Sequence, residues 1–404
     1  MSQSVGEIRG QFRALDRHHR GLPVAYFDGP GGTQVPEPVV DAMADYLRHH
    51  NANTHWNYPT SRETDRLIAE SRQAVADFLN ARPEEVAFGL NMTTLTFHLA
   101  RGLVRGWKAG DEIIVTELDH QGNVGPWEAI ARDAGLGLVR IPFRVEDGSL
   151  DLDRLVQSIG PKTRLVAVGW ASNALGTITD VRVACQAAQA RGVVSFVDAV
   201  HSAPHLLPDV VAIGCDYLGC SPYKFYGPHM GVLYGRHTLI EALDIPKLVP
   251  APNASPERLE TGTQNHEGIV GTRAAIDFLA AVSPAGDRRA SLAAAYQVLH
   301  QRGMALFRRL WDGLGAVRGV RRFGPGPDGS RTPTLGFVVD GVRSSEVARR
   351  LADEAVFVSH GDFYATTVVE RLGLGEEGLV RAGSACYTTE EEIDRLVAGV
   401  ERLG

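Results

Sequence analysis

Lys224 and Asp198 are the residues whose types and spacing most directly suggest chemistry. Asp198 ends the apolar run Val193-Val194-Ser195-Phe196-Val197, and Lys224 follows 26 residues later in Cys220-Ser221-Pro222-Tyr223-Lys224-Phe225-Tyr226-Gly227-Pro228. The strand-like Gly231-Val232-Leu233-Tyr234 comes next, so the lysine is set between two apolar segments rather than on a solvated face. A partly desolvated amine favours its neutral, nucleophilic form, which is the form that condenses with a carbonyl. A lone lysine in a loop is by default a surface residue, but a carboxylate at the end of the preceding strand changes that balance. Pyridoxal phosphate (PLP) calls for this pairing: a lysine for the Schiff base and a carboxylate that keeps the ring nitrogen protonated, so that the ring can withdraw electrons from a carbanion.

Other polar groups fall just after apolar runs. Phe88-Gly89-Leu90-Asn91-Met92-Thr93-Thr94-Leu95 passes from a strand into a helix, and backbone N–H groups with threonine hydroxyls at a helix start suit a phosphate. Taken alone, such a pair is more often a helix cap. Glu117-Leu118-Asp119-His120 places an imidazole after one strand, and Ala171-Ser172-Asn173-Ala174-Leu175-Gly176 places an amide after another. A lone histidine is more often a satisfied loop or core residue. Five strand ends carrying these groups in one order are much harder to dismiss.

The elements that must position them follow from the hydrophobic pattern. From about Glu84 to Gly235, apolar runs alternate with helical stretches such as Val181 to Arg191: Val86–Phe88, Glu112–Val115, Leu138–Ile141, Arg164–Val168 and Val193–Val197. This alternation predicts an α/β fold with a mainly parallel sheet covered by helices on both faces, and ligands at the carboxyl ends of its strands. Ile245 to Gly262, with four prolines, reads as a crossing loop, and a helix is expected from about Thr272. Gly324-Pro325-Gly326-Pro327-Asp328-Gly329 is a turn-rich break. Beyond it, Leu335–Val339, a helix near Ser344 to Glu354, Val356–Val358 and a last helix predict a smaller α+β unit. That last helix opens on Thr389 and Glu392 in capping-box spacing, with Ile393, Leu396, Val397 and Val400 on one face. The expected division is 1–30 as an N-terminal segment of the small domain, 31–270 as the large cofactor-binding domain and 271–404 as a linking helix with the C-terminal small domain.

Composition bounds the partners. The 404 residues, 44% hydrophobic, are enough for a large core. A net charge of −7, with 41 Lys and Arg spread along the chain, gives no support for nucleic-acid binding. No stretch approaches transmembrane length and the first residues lack the pattern of a signal peptide, so a cytoplasmic location and no membrane partner are expected. Cys185, Cys215, Cys220 and Cys386 lack the CxxC pairing of a zinc site, so no metal is expected and buried structural thiols are the default. No GxGxxG or P-loop follows a strand to suggest nucleotide or flavin binding.

With that order of groups in view, the chain resembles the class V aminotransferases of PLP fold type I, and within them the cysteine desulfurase-like and isopenicillin N epimerase-like enzymes. The likeness runs from Tyr26-Phe27-Asp28-Gly29-Pro30 to Asp394-Arg395-Leu396. It rests on NALGT (Asn173 to Thr177), DAVH (Asp198 to His201), SPYKFYG (Ser221 to Gly227), TGTQN (Thr261 to Asn265) and the late Arg381. The resemblance implies that Lys224 holds the cofactor, Asp198 pairs with the pyridinium nitrogen, His120 stacks on the ring and Asn173 approaches the phenolic oxygen. Met92, Thr93, Ser221 and Tyr223 would serve the phosphate, with Thr263 reaching it from the other subunit of a homodimer with shared active sites. Arg381 would hold the carboxylate of an amino-acid substrate, and independently of any family a guanidinium fork suits a carboxylate.

Departures from the desulfurase pattern bear on the reaction. His201 stands where a glutamine is usual beside the phenolic oxygen, and Tyr223 where a histidine is usual before the lysine; both keep a hydrogen-bonding group. The loop Val358-Ser359-His360-Gly361-Asp362-Phe363-Tyr364-Ala365, which in those enzymes holds the persulfide-forming cysteine, has none, and Tyr364 stands in its place. A persulfide route needs that thiol. The segment around Trp56 and Tyr58 would lie near the substrate mouth and suit a bulky substrate, with packing at a domain or subunit junction an equal alternative. The expected function is therefore β-elimination on a cysteine-type or S-conjugate substrate without an enzyme persulfide, with Lys224, His120 and Asp198 as catalytic groups. Decarboxylating chemistry, transamination or epimerisation remain open, and a non-catalytic PLP-binding protein is a further alternative, disfavoured by the complete set of groups.

Overall fold

A computed structural model describes residues 2–403. Its centre is a seven-stranded sheet in the order Val86–Gly89, Gly231–Gly235, Tyr217–Cys220, Val194–Asp198, Thr163–Gly169, Glu112–Thr116, Gly137–Ile141. The five strands from Tyr217–Cys220 to Gly137–Ile141 pair in parallel, while Gly231–Gly235 runs antiparallel to both of its neighbours. Parallel strands need crossovers, and these are supplied by helices such as Gln121–Ala134 and Val181–Gln189. Two apolar clusters flank the sheet. Ile114, Val166, Val197 and Leu218 pack to one side, and Ile113, Leu165, Phe196 and Tyr217 to the other, which is the period-two alternation of strands covered on both faces.

The smaller C-terminal unit carries a four-stranded sheet ordered Val320–Phe323, Thr334–Val339, Leu379–Gly383, Ser359–Gly361, with antiparallel pairing throughout. Its own core joins Leu306, Phe307, Phe337, Leu351, Ile393 and Leu396. The beginning of the chain serves both regions. Ala25–Tyr26 pairs with Val356–Phe357 and Phe27 lies in the small-unit core, whereas Ile8 and Phe12 pack into the large cluster. The 29-residue helix Arg288–Ala316 ties the two together.

Local chemistry sets several boundaries. The last helix starts at Glu390, with the Thr389 side chain accepting from the Glu392 N–H in the expected capping box. The helix expected from Thr272 begins earlier, at His266, because Asn265 caps it by accepting from the Gly268 N–H at 2.9 Å. Tyr217–Cys220 was not foreseen as a strand: it is four residues long and interrupted by Gly219, too short to show a period.

Candidate active site

Register brings the functional side chains together. Gly169 lies opposite Asp198, and Asp198 opposite Gly219, so the carboxyl ends of three adjacent strands share one edge. Above it lies a cavity lined by Met92, Thr93, His120, Asn173, Asp198, His201, Ser221, Tyr223 and Lys224, together with Asn91 and Asp119.

One end of the cavity is built by the start of the helix Met92–Leu103. Asn91 is extended and its side chain accepts from the Thr94 N–H at 2.8 Å, which starts the helix at Met92. The opposing strand begins with Gly231 because a Cβ there would lie 2.4 Å from the Asn91 backbone carbon. His120 caps the next helix, its Nδ1 accepting from the Gly122 N–H at 2.8 Å. That bond fixes the neutral tautomer with its proton on Nε2, and burial with the Lys224 and Arg381 charges depresses its pKa to about 4. The ring is therefore uncharged at neutral pH.

Lys224 is buried, with its ammonium donating to the Pro30 carbonyl and lying 5.0 Å from the centre of the Tyr223 ring. Burial lowers its pKa to about 7, the Arg381 charge adds to this, and Asp198 opposes it. Asp198 accepts from the Val200 N–H at 2.8 Å; burial raises its pKa to about 6, against the pull of that bond and of Lys224. His201 donates to or accepts from Thr332 and Thr334 through Nε2 at 3.3 and 3.2 Å, while its buried Nδ1 has no partner. Burial pushes its pKa well below the ordinary value.

Arg381, on Leu379–Gly383, is buried and donates through Nη1 to the Asn173 carbonyl at 3.0 Å, leaving Nε without a partner. The Asn173 amide donates to the Phe363 carbonyl at 2.9 Å and leaves its own Oδ1 unpaired. Buried polar atoms without partners are uncommon, and in a cavity they mark where a ligand supplies the missing bond. Asn173 Oδ1 and His201 Nδ1, with the buried Lys224 amine and the Asp198 carboxylate, line the cavity and fit a PLP ring; Arg381, bonded to the Asn173 carbonyl, lies just behind that lining with its Nε unpaired.

Four expected residues stand apart. Tyr364 is exposed, its ring centre 5.5 Å from that of His120 at the cavity mouth. Trp56, Tyr58 and Thr263 are exposed and do not line this cavity within one chain. Two contributors had no role assigned from sequence. Asp119 is buried, with both oxygens accepting from the Gly169 N–H at 3.0 Å and one from the Asn123 amide at 2.9 Å; burial raises its pKa to about 7. Phe363 packs its ring 4.0 Å from the Arg381 guanidinium carbon. The position of Asp119 beside His120 in one polar run was the available signal; for Phe363 there was none.

A model of the family "Aminotransferase class-V" matches residues 25–396, and the chain belongs to that family of PLP-dependent enzymes. Among curated relatives it is 31% identical to a cysteine desulfurase of Pectobacterium atrosepticum over 419 residues, covering 100% of this chain and 98% of that one. It is 32% identical to a probable cysteine desulfurase of Pseudomonas putida over 405 residues, covering 96% and 95%. The apo structure of a cysteine desulfurase from Thermococcus onnurineus superposes with a TM-score of 0.89 at 29% identity, covering 100% of this chain and 99% of that one. A cysteine desulfurase from Escherichia coli gives 0.86 at 27% identity, covering 100% and 98%. The α/β architecture is thus that of PLP fold type I, as the resemblance implied.

Proposed function

We propose that this enzyme cleaves the Cβ–S bond of a cysteine-type or cysteine S-conjugate substrate by β-elimination, releasing the sulfur directly as a thiol rather than passing it to an enzyme cysteine. The observation that carries this reading is the state of the thiols. Cys185, Cys215, Cys220 and Cys386 are all buried, and none lines the cavity. Burial raises Cys185 and Cys386 to about 12 and holds Cys215 and Cys220 well above the ordinary thiol range. Sulfur capture requires an accessible thiolate. In the loop where such a thiol would be needed stands Tyr364, a phenol that cannot take up sulfur. The names of the relatives support a cysteine-type substrate.

Bound PLP would supply an electron sink for a carbanion at Cα, held by Lys224 and Asp198 with the phosphate at Met92, Thr93 and Ser221. Arg381 binds the substrate carboxylate in the plane of its guanidinium. Once the substrate amine has displaced it, the Lys224 amine takes the Cα proton, its neutral form favoured by burial. The Cβ–S bond then breaks with its electron pair leaving on sulfur, and the thiolate takes up a proton. His120 stays neutral and gives its face to the site. The active unit is proposed to be a homodimer in which Thr263 of one subunit completes the phosphate site of the other, in the cytoplasm; Trp56 and Tyr58 would then come from the same junction. No helix among the described residues is long and apolar enough to cross a membrane.

The test is to incubate the holoenzyme with L-cysteine and a panel of S-conjugates and identify products by mass spectrometry. Elimination gives the free thiol or sulfide with pyruvate and ammonia. Loss of carbon dioxide, or transfer of the amino group with the carbon–sulfur bond intact, would replace this reading by a decarboxylase or an aminotransferase.

A further inference from the structure

The segment Gly361 to Tyr364 is strained and yet held to the site at four points. Phe363 and Tyr364 have φ of +56° and +58°, a left-handed conformation that aromatic residues rarely adopt. Such backbone persists only where its surroundings over-determine it. Here the surroundings are site groups: the Phe363 carbonyl accepts from Asn173, the Phe363 ring covers Arg381, and the Tyr364 ring stands beside His120. The Tyr364 carbonyl also accepts from the Gln121 N–H at 2.7 Å, at the start of the helix that His120 caps.

The consequence falls on Arg381. One face of its guanidinium is covered by Phe363 at 4.0 Å. Gly31 also closes on it, since a Cβ at that position would lie 3.3 Å from Nη2. Nη1 is occupied by the Asn173 carbonyl, and Nε is the buried donor left without a partner. With one face covered, the guanidinium plane is held, and a carboxylate that binds by two parallel N–H bonds must approach along its edge.

We propose that Phe363 is a positioning residue for substrate recognition: by covering one face of Arg381 and anchoring the cavity-lining Asn173 through its carbonyl, it fixes the orientation of the guanidinium and so selects substrates carrying an α-carboxylate. This rests on the reading of Arg381 as the carboxylate site. The strain in the loop is the cost of bringing this ring over the arginine, and a side chain of ordinary loop character would leave the guanidinium free to tilt.

The test uses holoenzyme and two probes, L-alanine and ethylamine, which differ by the carboxylate; binding is followed through the visible absorption of the cofactor. Wild type is expected to bind L-alanine more tightly than ethylamine. Phe363→Leu should weaken L-alanine by up to about thirtyfold, the scale of a desolvated cation–π contact of about 2 kcal/mol, leaving ethylamine and cofactor affinity within about twofold, and Phe363→Tyr should restore L-alanine binding. Unchanged L-alanine binding in Phe363→Leu would overturn the proposal, as would equal weakening of both probes, which signals general loosening. If wild type and Arg381→Ala bind L-alanine alike, Arg381 is not the carboxylate site, and that reading fails at its own step before Phe363 is reached.

Discussion

Both carboxylate oxygens of Asp119 accept the backbone N–H of Gly169 at 3.0 Å, tying the loop that carries His120 to the end of the strand beside Asp198. His120 follows Asp119 directly, so this bond sets how far the imidazole stands from the carboxylate edge. Asp119→Ala leaves a buried N–H without an acceptor and is expected to destabilise the fold by about 1–3 kcal/mol. Denaturant unfolding of the apo protein checks the value, and a stability equal to wild type would remove Asp119 from this role.

Arg381→Ala should keep the cofactor and lose substrate. Removing one partner of a buried charge-assisted pair costs about 2–5 kcal/mol, and no bond from Arg381 to the proposed phosphate or ring-nitrogen groups is required. The holoenzyme should remain yellow while KM for an amino-acid substrate rises steeply. An unchanged KM would assign the arginine to structure.

The depressed Lys224 pKa sets a pH window. In the apo protein the amine loses its proton at about pH 7 instead of near 10.5, so uptake of PLP should accelerate with pH to a midpoint near 7 and then level off. Arg381→Met should raise that midpoint and Asp198→Asn lower it, since the first charge depresses the lysine and the second supports it. The stability sign follows. Between pH 7 and 10.5 the unfolded chain binds a proton that the folded chain releases, so this group makes the apo fold more stable as pH rises through that window. A midpoint near 10 would show a solvated lysine.

Thr263 lies exposed and outside the cavity of its own chain. If it serves the neighbouring site, mixing Lys224→Ala chains with Thr263→Ala chains should restore activity, since one site of each mixed dimer holds both intact residues. Thr263→Ala alone should weaken PLP binding. Additive loss without complementation would place Thr263 outside the site.

The parts of this site that were legible in sequence are those fixed by strand order. Asp198, Asn173 and His120 each end or follow an apolar run read as a strand, and a parallel sheet brings such ends to one edge whatever the loops do; Lys224 was placed only by the motif around it. Their gathering around one cavity was therefore foreseeable. Contacts made by loops were not. The packing of Phe363 on Arg381 depends on positive φ at two aromatic residues, which local propensity argues against. The strand Tyr217–Cys220 is too short to show its period. The bonds of Asp119 join groups 50 residues apart, a pairing that only the sheet register defines. Trp56, Tyr58 and Thr263 carry sequence signals, but their positions within one chain leave them on its surface.

The measurement that bears most directly on the reaction is sulfur mapping during turnover with L-cysteine. The holoenzyme is quenched with an alkylating reagent under denaturing conditions, and Cys185, Cys215, Cys220 and Cys386 are read by peptide mass spectrometry. The same assay is repeated on a variant with all four changed to serine or alanine and shown to fold and bind PLP. Direct elimination predicts that no cysteine carries an additional sulfur atom, that sulfide is released without added reductant, and that the variant still turns over. A persulfide on Cys386 or any other cysteine in the parent enzyme, with turnover abolished in the variant, would contradict it.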